Sequence, residues 1–559
     1  MHYFFFIALI LNCFSCTPEF NDKSPINVGN FSDTIIQNKT PEQLKNWQLK
    51  DIQFDSVPGV SLERAYKELL KDKEGEEVIV ALLDDHLDIN HEDLKHQIWF
   101  NRDEIPDNGI DDDGNGYIDD VNGWNFTGNT KGMQIIYMNN EVTRVLRSLN
   151  PDFKNSLSAK HKYDSLLYLN AKEEYAKEEY AKQMKQAERD LKYANYVQNI
   201  TLKSKEALSK YIPNRDFSLE NLNKIPVDSN DIKLQQYITV LKEYIKYNIT
   251  DDWIKKTKQD AEGALDKQLN PDYNERTAII GDNPEDVTDI YYGNNQVGDY
   301  LDHFQHSTQV ASVIAATRNN NLGIDGVSNN IKIMPVCVST EGNEHDKDIA
   351  VGIKYAVDNG AKIINMSLGK MFSLHSEWVF DAFKYAEKHG VLIVSSAGNS
   401  NFDLDTENDY FFMDNLENGK EVSGNFLLVG SSTHKVNEQL KSSFSSYGSI
   451  DVDLFAPGDS IYVAYPNDKY IYNSGTSLAS ALTSGVAALV LSYYPDLSAN
   501  DLKQILMQSG VAYDLKVTIT GKEEEEEERL VPFSEISRTG KILNAYNAIL
   551  LASKWPLNK

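Results

Sequence analysis

The chain has 559 residues, of which 41% are hydrophobic and 25% are charged. These proportions are close to those of soluble globular proteins, so they exclude wholesale disorder and a polytopic membrane protein. The length suits several domains, or one large domain that carries an insertion. There are 55 Lys and Arg residues against 84 Asp and Glu residues, a formal net charge of −29. Because this charge repels phosphate backbones, nucleic acid is not expected as the main partner.

The chain opens with an apolar run at residues 3–14, which is too short to span a bilayer but typical of the core of a secretion signal. Ser15 and Cys16 follow, and this pair resembles the lipobox of bacterial lipoproteins, in which the cysteine becomes the acylated first residue. We therefore predict a signal peptide at 1–16, lipidation at Cys16, and a lipid anchor in a membrane of the cell envelope. No Lys or Arg precedes the run, and Cys13 stands where the lipobox prefers Leu. An ordinary cleaved signal and a secreted protein are the alternative.

Residues 17–46 are polar and rich in turn-forming residues, which predicts a tether. Beyond residue 47, continuous apolar runs of strand length alternate with amphipathic stretches of helical periodicity. Strands that alternate with helices indicate an α/β fold whose mostly parallel sheet is covered by helices on both faces. The runs predicted as strands are 78–83, 331–338, 362–366, 391–396 and 426–429, and the stretches predicted as helices include 347–359 and 377–389.

One segment interrupts this alternation. Between residues 133 and 262 there is no glycine, so little in the sequence would end a helix there. Apolar residues recur at helical spacing on one face, which predicts a long helix. These residues are Ala176, Tyr180, Met184, Ala187, Leu191 and Ala194. We refer to residues 133–290 as the helical segment and predict that it is an α-helical insertion.

Three stretches that lie far apart in the chain carry residues suited to acid-base or nucleophilic chemistry. Asp84 ends the first apolar run, and the end of a strand is where a parallel sheet places its active site. His306 begins one stretch of small residues, and Ser477 stands within another, where a serine at a helix start is close to backbone N–H groups. Taken singly, each residue also suits an ordinary structural role, as a helix cap or a buried histidine.

Together, the three stretches resemble the subtilisin-like serine proteases, whose catalytic residues follow the chain order Asp, His, Ser. Here the order is Asp84, His306, Ser477. Two further motifs stand between the histidine and the serine. Residues 367–369, Ser-Leu-Gly, resemble the strand that binds the substrate main chain, and residues 396–399, Ser-Ala-Gly-Asn, resemble the oxyanion-hole segment. The resemblance covers about residues 47–127 and 291–552.

The resemblance implies a subtilisin-like three-layer α/β fold and a serine endopeptidase whose partner is a polypeptide substrate. In that family, Ser477 would attack the peptide carbonyl, His306 would take its proton, and Asp84 would orient the imidazolium. The Asn399 amide and the Ser477 backbone N–H would donate to the oxyanion, and the chemistry would require no cofactor. An extended substrate would pair as an added strand with Ser367, Leu368 and Gly369.

The implied organisation places the helical segment between the Asp and His motifs, where we predict that it gates or selects substrate rather than holding the core together. The predicted divisions are a signal peptide (1–16), a tether (17–46), a first part of the catalytic domain (47–132), the helical segment (133–290) and a second part of the catalytic domain (291–559).

Residues beside the reacting groups depart from the family pattern. Asp85 and His86 stand where a small hydroxyl residue and glycine are usual, and residues 307–309 read Ser-Thr-Gln where Gly-Thr-His is usual. A second carboxylate beside Asp84 would raise the pKa of the histidine further or misplace the pair. The alternative hypothesis is therefore a catalytically silent, subtilisin-like peptide-binding or scaffold lipoprotein that acts through its helical segment.

A separate acidic stretch at residues 111–120 alternates Asp111, Asp113 and Asn115, with Asp119 at the ninth position, as in the first part of a calcium loop. Position twelve lacks the glutamate that such loops use. The two readings are a structural Ca²⁺ site at these four residues and a turn held by its own side-chain to backbone hydrogen bonds.

Overall fold

The computed structural model describes residues 24–27, 40–149, 161–228, 230–247, 249–406, 416–417, 420–520 and 528–556. The predicted signal peptide and the predicted lipidation site, Cys16, lie outside the described residues.

The described strands, in chain order, are β1 (Val78–Asp84), β2 (Trp124–Asn125), β3 (Ile331–Cys337), β4 (Ile363–Met366), β5 (Leu392–Ser396), β6 (Leu416–Glu417), β7 (Lys420–Glu421), β8 (Phe426–Ser432), β9 (Leu454–Pro457), β10 (Ile461–Tyr465), β11 (Lys469–Asn473), β12 (Val511–Ala512), β13 (Lys516–Ile519), β14 (Arg529–Pro532) and β15 (Lys541–Ile542). Nine of them form one sheet in the order β12-β15-β9-β8-β5-β4-β1-β3-β2. Its neighbouring strands are parallel, apart from the antiparallel pair β12 and β15. All five apolar runs that were predicted as strands lie in this sheet, as β1, β3, β4, β5 and β8.

The described α-helices are α1 (Pro41–Leu44), α2 (Ile52–Asp55), α3 (Leu62–Ala65), α4 (Glu141–Leu149), α5 (His161–Leu208), α6 (Leu219–Asn223), α7 (Ile232–Lys246), α8 (Asp251–Gly263), α9 (Arg276–Ile279), α10 (His306–Ala315), α11 (Asp346–Asp358), α12 (Ser376–Lys388), α13 (Thr476–Tyr493), α14 (Ala499–Ser509) and α15 (Ala545–Ala552). The two helices predicted at 347–359 and 377–389 are α11 and α12, each displaced by one residue.

Helices cover both faces of the sheet, which gives the three layers that the sequence predicts. Along β1, Val80 and Leu82 point to one face and belong to the same buried cluster as Val486 of α13. The alternate residues Ala81 and Leu83 point to the other face and join the cluster that contains Ile349 of α11. Since both faces are buried, the central strands are continuous apolar runs rather than alternating ones.

The helical segment packs against the sheet domain through an apolar face of α5. That helix has 48 residues, and the predicted stripe is confirmed, because Ala176, Ala187 and Ala194 are buried on it. The small apolar cluster below this face contains Val142, Val145, Ala176, Ala187, Leu269 and Phe372. Phe372 follows β4 and belongs to the sheet domain, so this cluster joins the two parts.

A buried ionic cluster also fixes the helical segment to the sheet domain. The guanidinium of Arg276 in α9 donates to the Asp348 carboxylate of α11 at 2.6 and 2.7 Å and to Asp282 at 3.1 and 2.8 Å. Lys347 Nζ donates to Asp282 at 2.8 Å, and its side chain is fully buried. Every charge in this cluster has an opposite partner, as burial requires.

Part of the segment predicted as a tether lies against the folded domain. Ile26 is buried, its N–H donates to Asn547 Oδ1 at 2.7 Å, and its carbonyl accepts from Asn547 Nδ2 at 3.1 Å. Residues 24–27 are therefore held by α15, which is the last described helix.

Among the described residues, α13 is long and apolar enough to cross a membrane. It is 94% buried inside the structure, however, where it packs on the sheet. Its apolar character is therefore that of a core helix.

Candidate active site

The carboxyl ends of the central strands and the N-termini of two helices meet at one edge of the sheet. Asp84 is the last residue of β1, and the segment 367–369 follows β4, the neighbouring strand. His306 is the first residue of α10, and Ser477 is the second residue of α13. These residues, together with Asn399 after β5, line a cleft of about 590 Å³. The structure thus brings together the residues predicted to act on substrate.

The carboxylate of Asp84 holds the imidazole of His306. His306 Nδ1 lies 2.8 Å from both Asp84 oxygens, and Asp84 is only 4% exposed. With Nδ1–H donating to the carboxylate, Nε2 is the nitrogen free to accept a proton. Burial alone would lower the pKa of His306, but the charge and hydrogen bond of Asp84 outweigh it and raise the pKa to about 9. The site therefore stabilises the imidazolium.

Two N–H donors converge beside Ser477. Asn399 Oδ1 accepts from Thr476 N and from Thr476 Oγ1, both at 2.9 Å, which leaves Asn399 Nδ2 as the free arm of the amide. A Cβ built on Gly475 would lie 3.8 Å from Asn399 Nδ2 and 3.8 Å from the backbone N of Ser477. Both donors thus border the same small space, which a glycine keeps open. An oxyanion in that space could accept from both groups.

The segment predicted to bind the substrate main chain lies along the cleft beside the serine. Ser367, Leu368 and Gly369 all line the cleft. Ser367 Oγ contacts the carbonyl of Ser477 at 3.3 Å and Ser480 Oγ at 3.1 Å, so its side chain ties this segment to helix α13.

Residues of the helical segment form part of the same cleft. Asn140, Val142 and Gln183 line it together with Ser477. The sequence analysis did not identify these three residues, because their contact with the cleft depends on how α4 and α5 pack on the sheet domain. No local motif marks them.

The residues that depart from the family pattern have partners within the fold. The ring of His86 is fully buried and stacked on Phe304 with centroids 5.1 Å apart, and burial lowers its pKa to about 4. Ser307 is buried and its N–H donates to Asp85 Oδ1 at 2.9 Å, and Asn473 Nδ2 donates to Gln309 Oε1 at 2.6 Å. Of the departing residues, Asp85 lines the cleft, whereas His86, Ser307 and Gln309 do not.

The acidic loop assembles a different set of residues from the one that the sequence predicts. Oxygens of Glu104, Asp111 and Asp113 all lie within 4.8 Å of one another. Asp119 lies outside this group, because its carboxylate accepts from the N–H groups of residues 108 and 109 at 3.1 and 2.9 Å. Asn115 also serves the turn, since its Nδ2 donates to Asp113 at 3.0 Å and its Oδ1 accepts from residue 117.

Glu104 is the member of this group that the sequence analysis missed. It is 3% exposed; Oε1 accepts from the N–H groups of Asp112 and Asp113, and Oε2 is buried without a hydrogen-bond partner among the described residues. Glu104 precedes the alternating acids by seven positions, so it lies outside the twelve-residue loop on which the prediction rests.

Comparison with known proteins agrees with this geometry. The model of the subtilase family matches residues 75–525. Thermitase from Thermoactinomyces vulgaris is 36% identical over 188 residues, which are 34% of this chain and 61% of thermitase. Subtilisin DY from Bacillus licheniformis is 34% identical over 202 residues, 36% of this chain and 68% of that protein. A solved cold adapted subtilisin-like serine proteinase is 27% identical, with a TM-score of 0.34 over 46% of this chain and 79% of that one.

The chain spans about three-fifths of thermitase, and the alignments with both relatives cover about a third of this chain. The family match covers most of the chain, including β1, α10 and α13. The chain therefore belongs to the subtilase family, and its sheet and helices form the subtilisin-like α/β fold.

Proposed function

We propose that the protein is a serine endopeptidase that hydrolyses peptide bonds through an acyl-enzyme on Ser477. His306 Nε2 takes the proton of Ser477 Oγ as that oxygen attacks the substrate carbonyl, and Asp84 holds the resulting imidazolium. Asn399 Nδ2 and the Ser477 N–H donate to the oxyanion. His306 then gives its proton to the leaving amine, and water hydrolyses the acyl-enzyme by the reverse sequence. Apart from water, the three side chains of the triad, the Asn399 amide and the Ser477 backbone N–H supply the groups that these steps need.

The observation that carries this proposal is that two independent devices lie in the cleft that contains Ser477. One is the Asp84–His306 hydrogen bond of 2.8 Å, and the other is the pair of N–H donors that border the space beside Gly475. A scaffold that only bound peptides would need neither device. The departing residues His86, Ser307 and Gln309 are compatible with activity, because all three pack within the fold and none of them lines the cleft.

A fluorophosphonate probe tests the proposal on the full chain. An ordinary serine hydroxyl reacts poorly with this probe, whereas a serine paired with an imidazole beside an oxyanion hole becomes stably modified. We expect stoichiometric labelling of the wild type, none of Ser477→Ala and almost none of His306→Ala. Ser474→Ala is the matched control, because Ser474 Oγ accepts from the N–H of Ser460, outside the cleft that contains Ser477.

Asn399→Ala adds a measure of transition-state stabilisation. We expect it to lower kcat for peptide hydrolysis by about 10²-fold or more with little change in KM, since the lost donor acts on the oxyanion. A folded wild type that binds peptide but does not label would instead support the silent binding protein.

We propose further that Glu104, Asp111 and Asp113 hold a structural Ca²⁺ ion. Calcium prefers carboxylate and carbonyl oxygens at distances of about 2.3 to 2.6 Å, which three oxygens within 4.8 Å of one another can satisfy. The buried, unpartnered Oε2 of Glu104 supports this assignment, because a buried carboxylate oxygen without a partner is costly.

We also propose that acylation at Cys16 anchors the protein in a membrane of the cell envelope. The support is the Ser15-Cys16 pair after the apolar run. Stable anchoring requires two or more acyl chains, because one chain gives only marginal binding. Mass spectrometry of the mature N-terminus should find a diacylated or triacylated Cys16. An unacylated terminus elsewhere within residues 13–25 would contradict the proposal and support a secreted protein.

A further inference from the structure

We propose that Asp85 is a positioning residue for His306: its carboxylate fixes the start of the histidine helix, and its negative charge supports the imidazolium. This inference rests on the proposed peptidase function and assigns a role to a residue at which the chain departs from its family. Asp85 takes part in no proton transfer.

The carboxylate of Asp85 accepts three backbone N–H groups at the N-terminus of α10. Its Oδ2 accepts from Gln305 N and His306 N, both at 3.2 Å, and its Oδ1 accepts from Ser307 N at 2.9 Å. The first N–H groups of a helix have no partner within the helix, so a side chain that binds three of them restrains its first turn. A negative charge at this end is also favoured by the helix dipole.

Asp84 and Asp85 therefore hold His306 at two points, its imidazole ring and its backbone N–H. The Asp84 carboxylate binds Nδ1 of the ring, while the Asp85 carboxylate binds the backbone N–H of the same residue, His306. Asp85 N also donates to Asp84 Oδ1 at 2.8 Å, which fixes the two carboxylates relative to each other. The backbone of His306 therefore cannot move away from Asp84 without breaking its hydrogen bond to Asp85. This rigidity matters because small misplacements of a catalytic group are costly in rate.

Charged groups around Asp85 shift the pKa values of Asp85 and His306. A second cavity, of about 260 Å³, borders Asp85 and His306 on the side towards helix α8. Burial, followed by the charge of Asp84, raises the pKa of Asp85 to about 7. The negative charge of Asp85 in turn helps to raise the pKa of His306. The titratable groups that face Asp85 or border this cavity are Asp84, His306, Cys337, Lys256 of α8, His303 and Glu341.

Above neutral pH, Asp85 is ionised and acts in both ways, as a helix cap and as a charge beside the imidazolium. The two contributions can be separated, because a neutral side chain of suitable shape keeps part of the cap but loses the charge. Asp85→Ala removes both, Asp85→Asn keeps the shape and one acceptor oxygen, and Asp85→Ser supplies a hydroxyl that is a good helix cap.

The experiment measures kcat, KM and the rate of fluorophosphonate labelling against pH for these three variants. We expect Asp85→Ala to lower kcat about tenfold or more with little change in KM, because a displaced base affects the chemical step rather than binding. Asp85→Ser should recover most of that loss. All three variants should shift the acidic limb of the pH profile to lower pH by about one unit, since each removes a charge near the histidine.

Asp88→Asn is the matched control. Asp88 lies in the same loop and is 6% exposed, and its carboxylate also accepts backbone N–H groups, but those of residues 90 and 467 rather than of α10. The control should keep the wild-type pH profile. Unchanged kcat and an unchanged acidic limb in folded Asp85→Ala would overturn the inference, as would an equal shift in Asp88→Asn. If Asp85→Ala does not fold, the acidic limb of the pH profile of Asp85→Asn is used instead, and an unshifted limb would overturn the inference.

A further measurement separates this inference from the proposed function. The titration of His306, followed by NMR of histidine-labelled full-length protein, does not require turnover. A lower pKa of His306 in Asp85→Asn than in the wild type supports the inference, whether or not the probe labels the wild type. Failure of the probe to label the wild type would contradict only the proposed peptidase function. A labelled wild type with an unchanged His306 titration in Asp85→Asn would overturn the role of Asp85 alone.

Discussion

The side-chain amides of Asn140 and Gln183 meet in a hydrogen bond of 3.0 Å at the wall of the cleft that contains Ser477. Asn140 precedes α4 and Gln183 lies in α5, so the bond joins two elements of the helical segment at the candidate active site. Gln183 is itself held by Glu179, one turn earlier, through a bond of 3.0 Å. The helical segment thus forms part of the wall of this cleft, and its role in substrate selection stays a prediction.

Removing this hydrogen-bonded pair should change which substrates enter the cleft. We expect the Asn140→Ala/Gln183→Ala variant to cleave a short chromogenic peptide within about twofold of the wild-type kcat/KM, because it leaves the reacting groups in place. The kcat/KM for a folded protein substrate should rise several-fold, since the two truncated side chains leave the cleft more open. Gln186→Ala, an exposed position of the same helix outside the cleft, is the control. Equal effects on both substrates would contradict selection by this wall.

The buried ionic cluster around Arg276 joins the helical segment to the sheet domain. Replacing Arg276 with Met would leave the carboxylates of Asp282 and Asp348 buried without their main partner. We expect the free energy of unfolding to fall by about 3 to 5 kcal/mol, as it does when one member of a buried ion pair is removed. Urea unfolding at pH 7 measures the loss. Lys224→Met in an exposed pair with Glu220 should change it by no more than about 0.5 kcal/mol.

Much of the fold and the reacting residues could be predicted from the sequence because their signals are local. Buried parallel strands read as apolar runs, and Asp84, Asn399 and Ser477 each lie within a short motif at the end of a strand or the start of a helix. Asp85 shows the limit of such motifs. Its charge helps to raise the pKa of His306, as its place beside Asp84 predicts, but the sequence does not indicate that its carboxylate binds the backbone of α10.

The residues that were missed are those whose roles depend on packing between distant elements. Gln183 has no feature that separates it from other polar residues of α5, and it reaches the cleft only because α5 packs over Phe372. Glu104 joins Asp111 and Asp113 because the loop between them folds back on itself through hydrogen bonds to Glu104 Oε1. Sequence spacing also assigned Asp119, whose carboxylate in the structure accepts from the N–H groups of residues 108 and 109.

Calcium should stabilise the protein through this acidic group. At about 100 times its dissociation constant, a ligand that binds only the folded state raises the free energy of unfolding by about 2.7 kcal/mol. We expect Ca²⁺ to raise the Tm and a chelator to reverse the change. Glu104→Gln should abolish the response, whereas Asp103→Asn, an exposed acid next to it, should keep it. A Tm that is insensitive to Ca²⁺ in the wild type would contradict the proposed site.

The pH dependence of peptide hydrolysis should follow the titration of His306. Because His306 must be neutral to take the proton of Ser477, and Asp84 raises its pKa to about 9, kcat/KM should increase with pH and level off above about pH 9. The same shift stabilises the folded state. A histidine whose folded pKa is raised contributes stability that is fully present below about pH 6.5 and is lost as pH rises through about 9.

Replacing Asp84 with Asn tests both consequences of this shift. The variant should lower kcat by about 10⁴-fold, because the imidazole loses the partner that sets its tautomer and stabilises its charge. It should also move the acidic limb of its residual activity to lower pH and remove the loss of stability between pH 6.5 and 9. Rate profiles and urea unfolding at matched pH values measure these effects. A limb that stays near pH 9 in Asp84→Asn would show that a group other than His306 controls the reaction.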